Sequence, residues 1–225
     1  MLDILAISPH PDDVELCCGG LIAKMGSKGY RIGIVDLTKG ELGTEGTADI
    51  RMQEATKAAD LLGVQIRENM DFGDCRVSSG FDEAKKLAGV IRQYIPSLLI
   101  APYGDDHHPD HAASRKLVDK AVFFAKLSRV RTDNEVHQVK MVTYYMLHKS
   151  FVPSFIVDVT QSHGKKLEAI KAYKSQIGLM LGMEGLLKST ELRDQIYGSR
   201  VGVKYGEPFF CNTPLMIDDP VVFSK

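Results

Sequence analysis

Short apolar runs alternate along this chain with longer stretches in which apolar residues recur at helical spacing. The run Ile4-Leu5-Ala6-Ile7-Ser8 stops abruptly at His10-Pro11-Asp12-Asp13, as a buried parallel strand does, and predicts a helix over about Gly19 to Lys28 behind it. A second strand over 32–37 leads into a glycine-rich loop, Gly40 to Thr47, expected to be mobile. Ile50, Ala55, Ala58, Ala59 and Leu62 then share one face of a helix over 48–62, with Gly63 as its stop. A short strand is expected over 69–72. Ala84, Leu87, Ala88 and Ile91 predict a helix over 81–95 that Pro96 ends. A buried strand over 98–102 precedes a helix from about His111 to Leu127. Strands over 141–147 and 155–159 and helices over 161–177 and 190–197 complete the pattern.

Strands alternating with helices of ten or more residues imply βαβ units. The expected architecture is α/β and Rossmann-like: a mainly parallel sheet with helices on both faces, forming a single domain over 1–225. Such sheets bind ligands beyond the carboxyl ends of their strands. Two clusters rich in His and Asp fall at such ends, His10-Pro11-Asp12-Asp13 and Asp105-Asp106-His107-His108-Pro109-Asp110-His111. Topology would bring them together across about a hundred residues of chain.

Composition narrows the function more than the fold. The chain is 44% hydrophobic and 25% charged, which suits a packed globular protein. Its 28 Lys and Arg against 29 Asp and Glu give a net charge of -1, so no overall field attracts nucleic acid or an anionic membrane. No apolar stretch approaches the roughly 18 residues of a membrane span, and the first residues carry no basic region, so a cytoplasmic protein is expected. The four cysteines contain no CxxC and are expected as free thiols. A GxSxG elbow, a Walker A loop and a GxGxxG turn are all missing from the sequence.

The clusters carry donors for one cation. His10 and His111 offer imidazoles and Asp13 a carboxylate, a set that suits a catalytic zinc with one position open for water; other divalent transition metals would accept the same set. Asp12 is then free to act as general base on that water. His108, if protonated, could donate to the oxyanion, with Asp110 placed to raise its pKa and fix its tautomer. Read alone, Pro11-Asp12-Asp13 is equally a turn with a helix N-cap, and Asp12 equally a partner that orients a ligand imidazole. His107, His137, His148 and His163 read as structural. Two further classes compete: a phosphoesterase, because Asp106-His107-His108 spells an Asp-His-His motif, and a metal-stabilised sugar-binding module.

Pro9-His10-Pro11-Asp12-Asp13 and His108-Pro109-Asp110-His111 together resemble the LmbE/PIG-L family of zinc-dependent N-acetylglucosaminyl deacetylases. Asp36 to Thr44, Arg51, Glu54-Ala55, Ala101-Pro102-Tyr103 and Ala172 to Gln176 extend the resemblance in order along the chain. The set looks like the bacillithiol-pathway branch, whose members remove acetate from N-acetylglucosaminyl malate. The resemblance implies zinc held by His10, Asp13 and His111, Asp12 as base and His108 as oxyanion-stabilising acid. It adds Arg51 as a contact to malate carboxylates, Glu41 and Asp74 as sugar-binding residues, a small-molecule N-acetyl sugar as partner, and assembly as a homo-oligomer. One departure stands out: a related mycothiol-pathway group has Tyr two residues before the histidine matched by His108, and here that residue is Asp106, with Tyr103 the nearest substitute.

Overall fold

The structure, a computed structural model, describes residues 1–176, 182–219 and 221. In chain order the elements are β1 (Ile4–Ser8), α1 (Asp13–Ser27), β2 (Ile32–Asp36), α2 (Ala48–Leu62), β3 (Ile66–Asn69), α3 (Phe81–Tyr94), β4 (Leu98–Pro102), α4 (Pro109–Ala125), β5 (Met141–Tyr145), β6 (Phe155–Asp158), α5 (His163–Ile170), α6 (Gly182–Ser199) and β7 (Gly206–Phe210). They build a seven-stranded sheet in the order β3-β2-β1-β4-β5-β7-β6. The first five strands in that order are parallel, and β7 runs antiparallel between β5 and β6. One face is packed by Leu87 and Ile91 of α3 with Leu117 and Ala121 of α4, the other by Ile22 of α1, Ala58 of α2 and Ala169 of α5. The α/β reading with helices on both faces is therefore correct. Strand order reverses between β1 and β4, so a crevice opens at their carboxyl ends.

Several boundaries differ from the expected ones, each for a physical reason. Helix α1 begins at Asp13, not Gly19, and kinks at Cys18, where φ is -140°. The kink frees the amides of Gly20 and Leu21, which donate to the Glu207 carboxylate at 2.8 and 2.7 Å. Glu207 shares Lys166 with Asp194, at 2.7 and 2.6 Å, and all three side chains are fully buried. Strand β3 lies over 66–69 and includes Arg67, which sequence pattern alone does not favour. Its guanidinium grips Asp36 of β2 at 2.8 and 2.9 Å and also bonds Glu15 of α1, so the cation is paired inside the fold. The helix expected over 161–177 ends at Ile170 and continues as a 3₁₀ turn over Lys174–Gln176; Ile177 lies outside the described residues. Helix α6 starts well before Thr190, and β7 has no counterpart in the expected pattern. No helix among the described residues is long and apolar enough to cross a membrane. All four cysteines are free.

Candidate metal centre and active site

The crevice is built from the loops after β1, β2 and β4. The chain leaving β1 is clamped by the Ser8 hydroxyl on the His10 carbonyl at 2.5 Å and by Thr38 on the Pro9 carbonyl at 3.0 Å. The turn places Asp12 at φ 131°, a region non-glycine residues rarely adopt, directly before α1. Beyond β4, Gly104 takes a positive φ and His108 caps α4, with Pro109 in the first turn. These loops carry the two clusters into contact.

Three donor atoms form a nearly equilateral triangle. His10 Nδ1 lies 3.3 Å from Asp13 Oδ2, Asp13 Oδ2 lies 3.4 Å from His111 Nε2, and His111 Nε2 lies 3.2 Å from His10 Nδ1. A tetrahedral ion with bonds of about 2.0–2.1 Å separates its ligands by about 3.3 Å, so this triangle fits one face of such a site. Looser groupings of ligand-type side chains, spread over up to 4.8 Å, adjoin it, including Asp106 with His111 and His148. The surrounding charge also suits a cation. Burial disfavours a charged His10, yet its contacts with Asp110 and Asp13 outweigh burial and push it up to about 11. Burial likewise disfavours the Asp13 carboxylate, but His10 and His111 hold its pKa well below the usual range. The carboxylates thus favour positive charge at this cluster, which is what a bound cation would supply.

The outer partners differ from the expected ones. Asp110, expected to orient His108, turns its carboxylate to His10 Nε2 at 3.2 Å and accepts the amides of Cys75 and Val77 at 2.7 and 3.1 Å. Its contact with His108 is through the backbone: the Asp110 amide donates to His108 Nδ1 at 3.3 Å. His108 accordingly shifts downward, because of burial first and then the charges of His10 and His111, which favours the neutral ring and not the protonated one expected. Asp74 sits 3.2 Å from His10 Nε2 and accepts the Leu42 amide, so it lies against the triangle. Glu41 instead accepts the amides of Asp74 and Lys39 and does not line the cavity.

Asp12 stands beside the triangle, and its Oδ2 accepts Arg51 Nη2 at 2.9 Å. Burial pushes Asp12 up to about 6, Arg51 opposing and Asp13 adding to the rise. Arg51 is itself buried, and its Nη1 donates to the Gly40 carbonyl at 3.1 Å. It therefore holds Asp12 and the glycine-rich loop together. That loop is also tied by Asp74 to Leu42 and by Gln176 Nε2 to the Glu45 carbonyl at 3.0 Å.

Two residues stand at the site in positions that the sequence reading did not assign to them. Asp106 accepts the His108 amide at 2.9 Å, faces His111 Nδ1 at 3.4 Å and holds His148 Nδ1 at 3.0 Å. His148, read as structural, stacks on His111 with ring centroids 5.1 Å apart and lines the cavity. It follows β5, so the rule that ligands gather beyond parallel strands pointed to it as it did to His10. The whole cavity has a volume of about 600 Å³, within the range of small-molecule sites.

Residues 5–122 match the family described as PIG-L: GlcNAc-PI de-N-acetylase. The chain is 29% identical over 221 residues to a diacetylchitobiose deacetylase of Thermococcus kodakarensis, covering 91% of this chain and 80% of the relative. It is 28% identical to a probable N-acetyl-alpha-D-glucosaminyl L-malate deacetylase 2 of Bacillus anthracis, over 77% of this chain and 80% of that one. A crystal structure of a conserved protein from Thermus thermophilus superposes with a TM-score of 0.92 at 35% identity, covering 98% of both chains.

Proposed function

The chain belongs to the PIG-L family, and from that premise we propose that it is a metal-dependent hydrolase removing the acetyl group from an N-acetylglucosamine-type sugar. The observation that carries this reading is the triangle of His10, Asp13 and His111 donors with a separate half-buried carboxylate, Asp12, beside it. A pure binding module has no use for that second carboxylate. His10, Asp13 and His111 would hold the ion, and zinc suits two imidazoles with one carboxylate. When bound, such an ion polarises the acetamide carbonyl and makes water more acidic.

The chain's own residues supply the proton transfers. Asp12, kept ionised by Arg51, takes a proton from the attacking water and returns it to the amide nitrogen as the C–N bond breaks. The products are the free amine and acetate. With His108 Nδ1 accepting the Asp110 amide, the neutral ring carries its proton on Nε2, where it donates to the carbonyl oxygen as negative charge builds. Asp74 and Asp110 share His10 Nε2, so that imidazole is oriented by carboxylates from behind, whereas Asp106 faces His111 Nδ1 at 3.4 Å without a hydrogen bond.

The recognised unit is the N-acetylglucosaminyl group, and its aglycone is either a second sugar or L-malate. A second sugar makes no demand on charge. L-malate, which would place the enzyme in bacillithiol biosynthesis, is favoured by Arg51, a cation lining the cavity, and requires it to serve Asp12 and substrate together. The test measures free amine and acetate released from N-acetylglucosaminyl malate, diacetylchitobiose and N-acetylglucosamine, with and without chelator. Release that the chelator abolishes supports the reading; no release from any of the three overturns it.

A further inference from the structure

His148 stands in the crevice with one ring nitrogen committed and the other open. The connections that follow β4 and β5 are pinned together twice, by His148 on Asp106 and by Lys149 Nζ on Asp105 at 2.8 Å. The Asp106 side chain is buried, and that of His148 is half exposed where it lines the main cavity with Asp12 and His108. The proposed hydrolysis gives His148 no task.

Hydrogen bonding fixes what this ring can offer. Asp106 Oδ1 accepts the His108 amide at 2.9 Å and Oδ2 accepts the His148 amide at 3.2 Å, so both oxygens act as acceptors. His148 Nδ1 lies 3.0 and 3.1 Å from those oxygens and must therefore carry a hydrogen. In the neutral ring Nε2 is then an acceptor. His111 also turns Nδ1 toward Asp106, at 3.4 Å, and its ring lies 18° from parallel with that of His148 at a centroid distance of 5.1 Å. Both rings thus turn Nε2 away from Asp106. In His111 that nitrogen is a corner of the triangle, whereas in His148 it has no partner among the described residues. An open acceptor one ring stack away from the triangle meets the part of the substrate that lies next to the acetamide.

The chemistry of the sugar names that part. The acetamide nitrogen sits on the carbon between the anomeric carbon and the one bearing the 3-hydroxyl. In a conjugate the anomeric oxygen is glycosidic and has no hydrogen to donate, so the 3-hydroxyl is the donor beside the acetamide. Among the neighbouring acceptors, Asp74 is spent on His10 and the Leu42 amide, and Asp12 on Arg51. We propose that His148 Nε2 accepts the 3-hydroxyl of the sugar and makes it a specificity determinant, with Asp106 as the positioning residue that fixes the tautomer. The inference rests on the N-deacetylase reading and deepens it, since that reading leaves open which hydroxyl is recognised.

The test compares kcat/KM of the metal-loaded full chain on methyl N-acetylglucosaminide and on its 3-deoxy and 4-deoxy analogues. Removing the 3-hydroxyl should cost the wild type about two- to tenfold, the range of one neutral hydrogen bond. His148→Phe keeps a ring against His111 and has no acceptor. It should lose about the same factor on the parent compound and show no further penalty on the 3-deoxy analogue, its 4-deoxy ratio staying at the wild-type value. Asp106→Asn, whose amide can donate to Nδ1, should abolish the 3-deoxy penalty and leave the 4-deoxy ratio unmoved. Each ratio is internal to its preparation, so loss of folded protein cannot create it, and metal analysis of the same samples should find the ion retained in His148→Phe. A wild type indifferent to the 3-hydroxyl, a 3-deoxy penalty that persists in both variants, or loss of the ion from His148→Phe overturns the role of His148 while leaving deacetylation intact. Absence of acetate release from the parent compound and both analogues overturns both readings.

Discussion

Arg51→Met separates two roles for the same guanidinium. In the structure Arg51 is bonded to Asp12 and to the Gly40 carbonyl, and its exposure is 8%. Burial already pushes Asp12 up to about 6 with Arg51 in place. A hydrogen bond to a charged group contributes about 1.5–3 kcal/mol, and one pKa unit is 1.36 kcal/mol, so removing Arg51 raises Asp12 by about one to two units further. A general base must be ionised, and activity is lost as pH falls through its pKa. The acid limb of kcat/KM should therefore move up by about one to two pH units, with up to about tenfold lost at neutral pH and largely recovered in alkaline buffer. The assay is a pH profile on N-acetylglucosamine and on N-acetylglucosaminyl malate. Both substrates should show the same displaced limb. An unmoved limb with KM raised only for the malate conjugate would refute the reasoning and assign Arg51 to the substrate carboxylates.

Three further substitutions test other parts of the account. Asp12→Asn should retain bound metal while lowering kcat at least about a hundredfold, measured by turnover alongside metal analysis of the same sample. Asp110→Asn removes the carboxylate behind His10 and should weaken metal affinity about 10–100-fold in competition with a chelator. Lys166→Met leaves Asp194 and Glu207 buried without their shared cation, and should cost about 3–5 kcal/mol in thermal or denaturant unfolding; an unchanged midpoint would show that the network contributes nothing.

Legibility in the sequence followed how uniform each element's surroundings are. Strands β1, β2 and β4 are buried on both faces and read as unbroken apolar runs, so their ends, and with them both His/Asp clusters, were legible. Strand β3 was misplaced because Arg67 is buried by partners on β2 and α1 that no local pattern reveals. Strand β7 was hidden by Glu207 and Pro208; the glutamate is buried because the α1 kink supplies amides to it. At the site, residue types and spacing identified the triangle, but the direction in which a carboxylate points is set by tertiary contacts. Asp110 lies next to His111 and near His108 in sequence, yet serves His10, a hundred positions away. Glu41 and Asp74 stood alike as expected sugar-binding residues, and only the fold turns Glu41 to backbone amides and brings Asp74 against the triangle.

The central claim is that one ion held by His10, Asp13 and His111 is needed for deacetylation. Metal-stripped protein titrated with zinc tests it most directly, with bound metal and acetate release from an N-acetylglucosaminyl substrate followed in the same samples. Activity should rise with metal and reach its plateau at one ion per chain, and His111→Ala should lose both tight binding and turnover. Acetate release from metal-free protein at the full rate, or a His111→Ala variant that keeps the ion and the activity, would contradict the account.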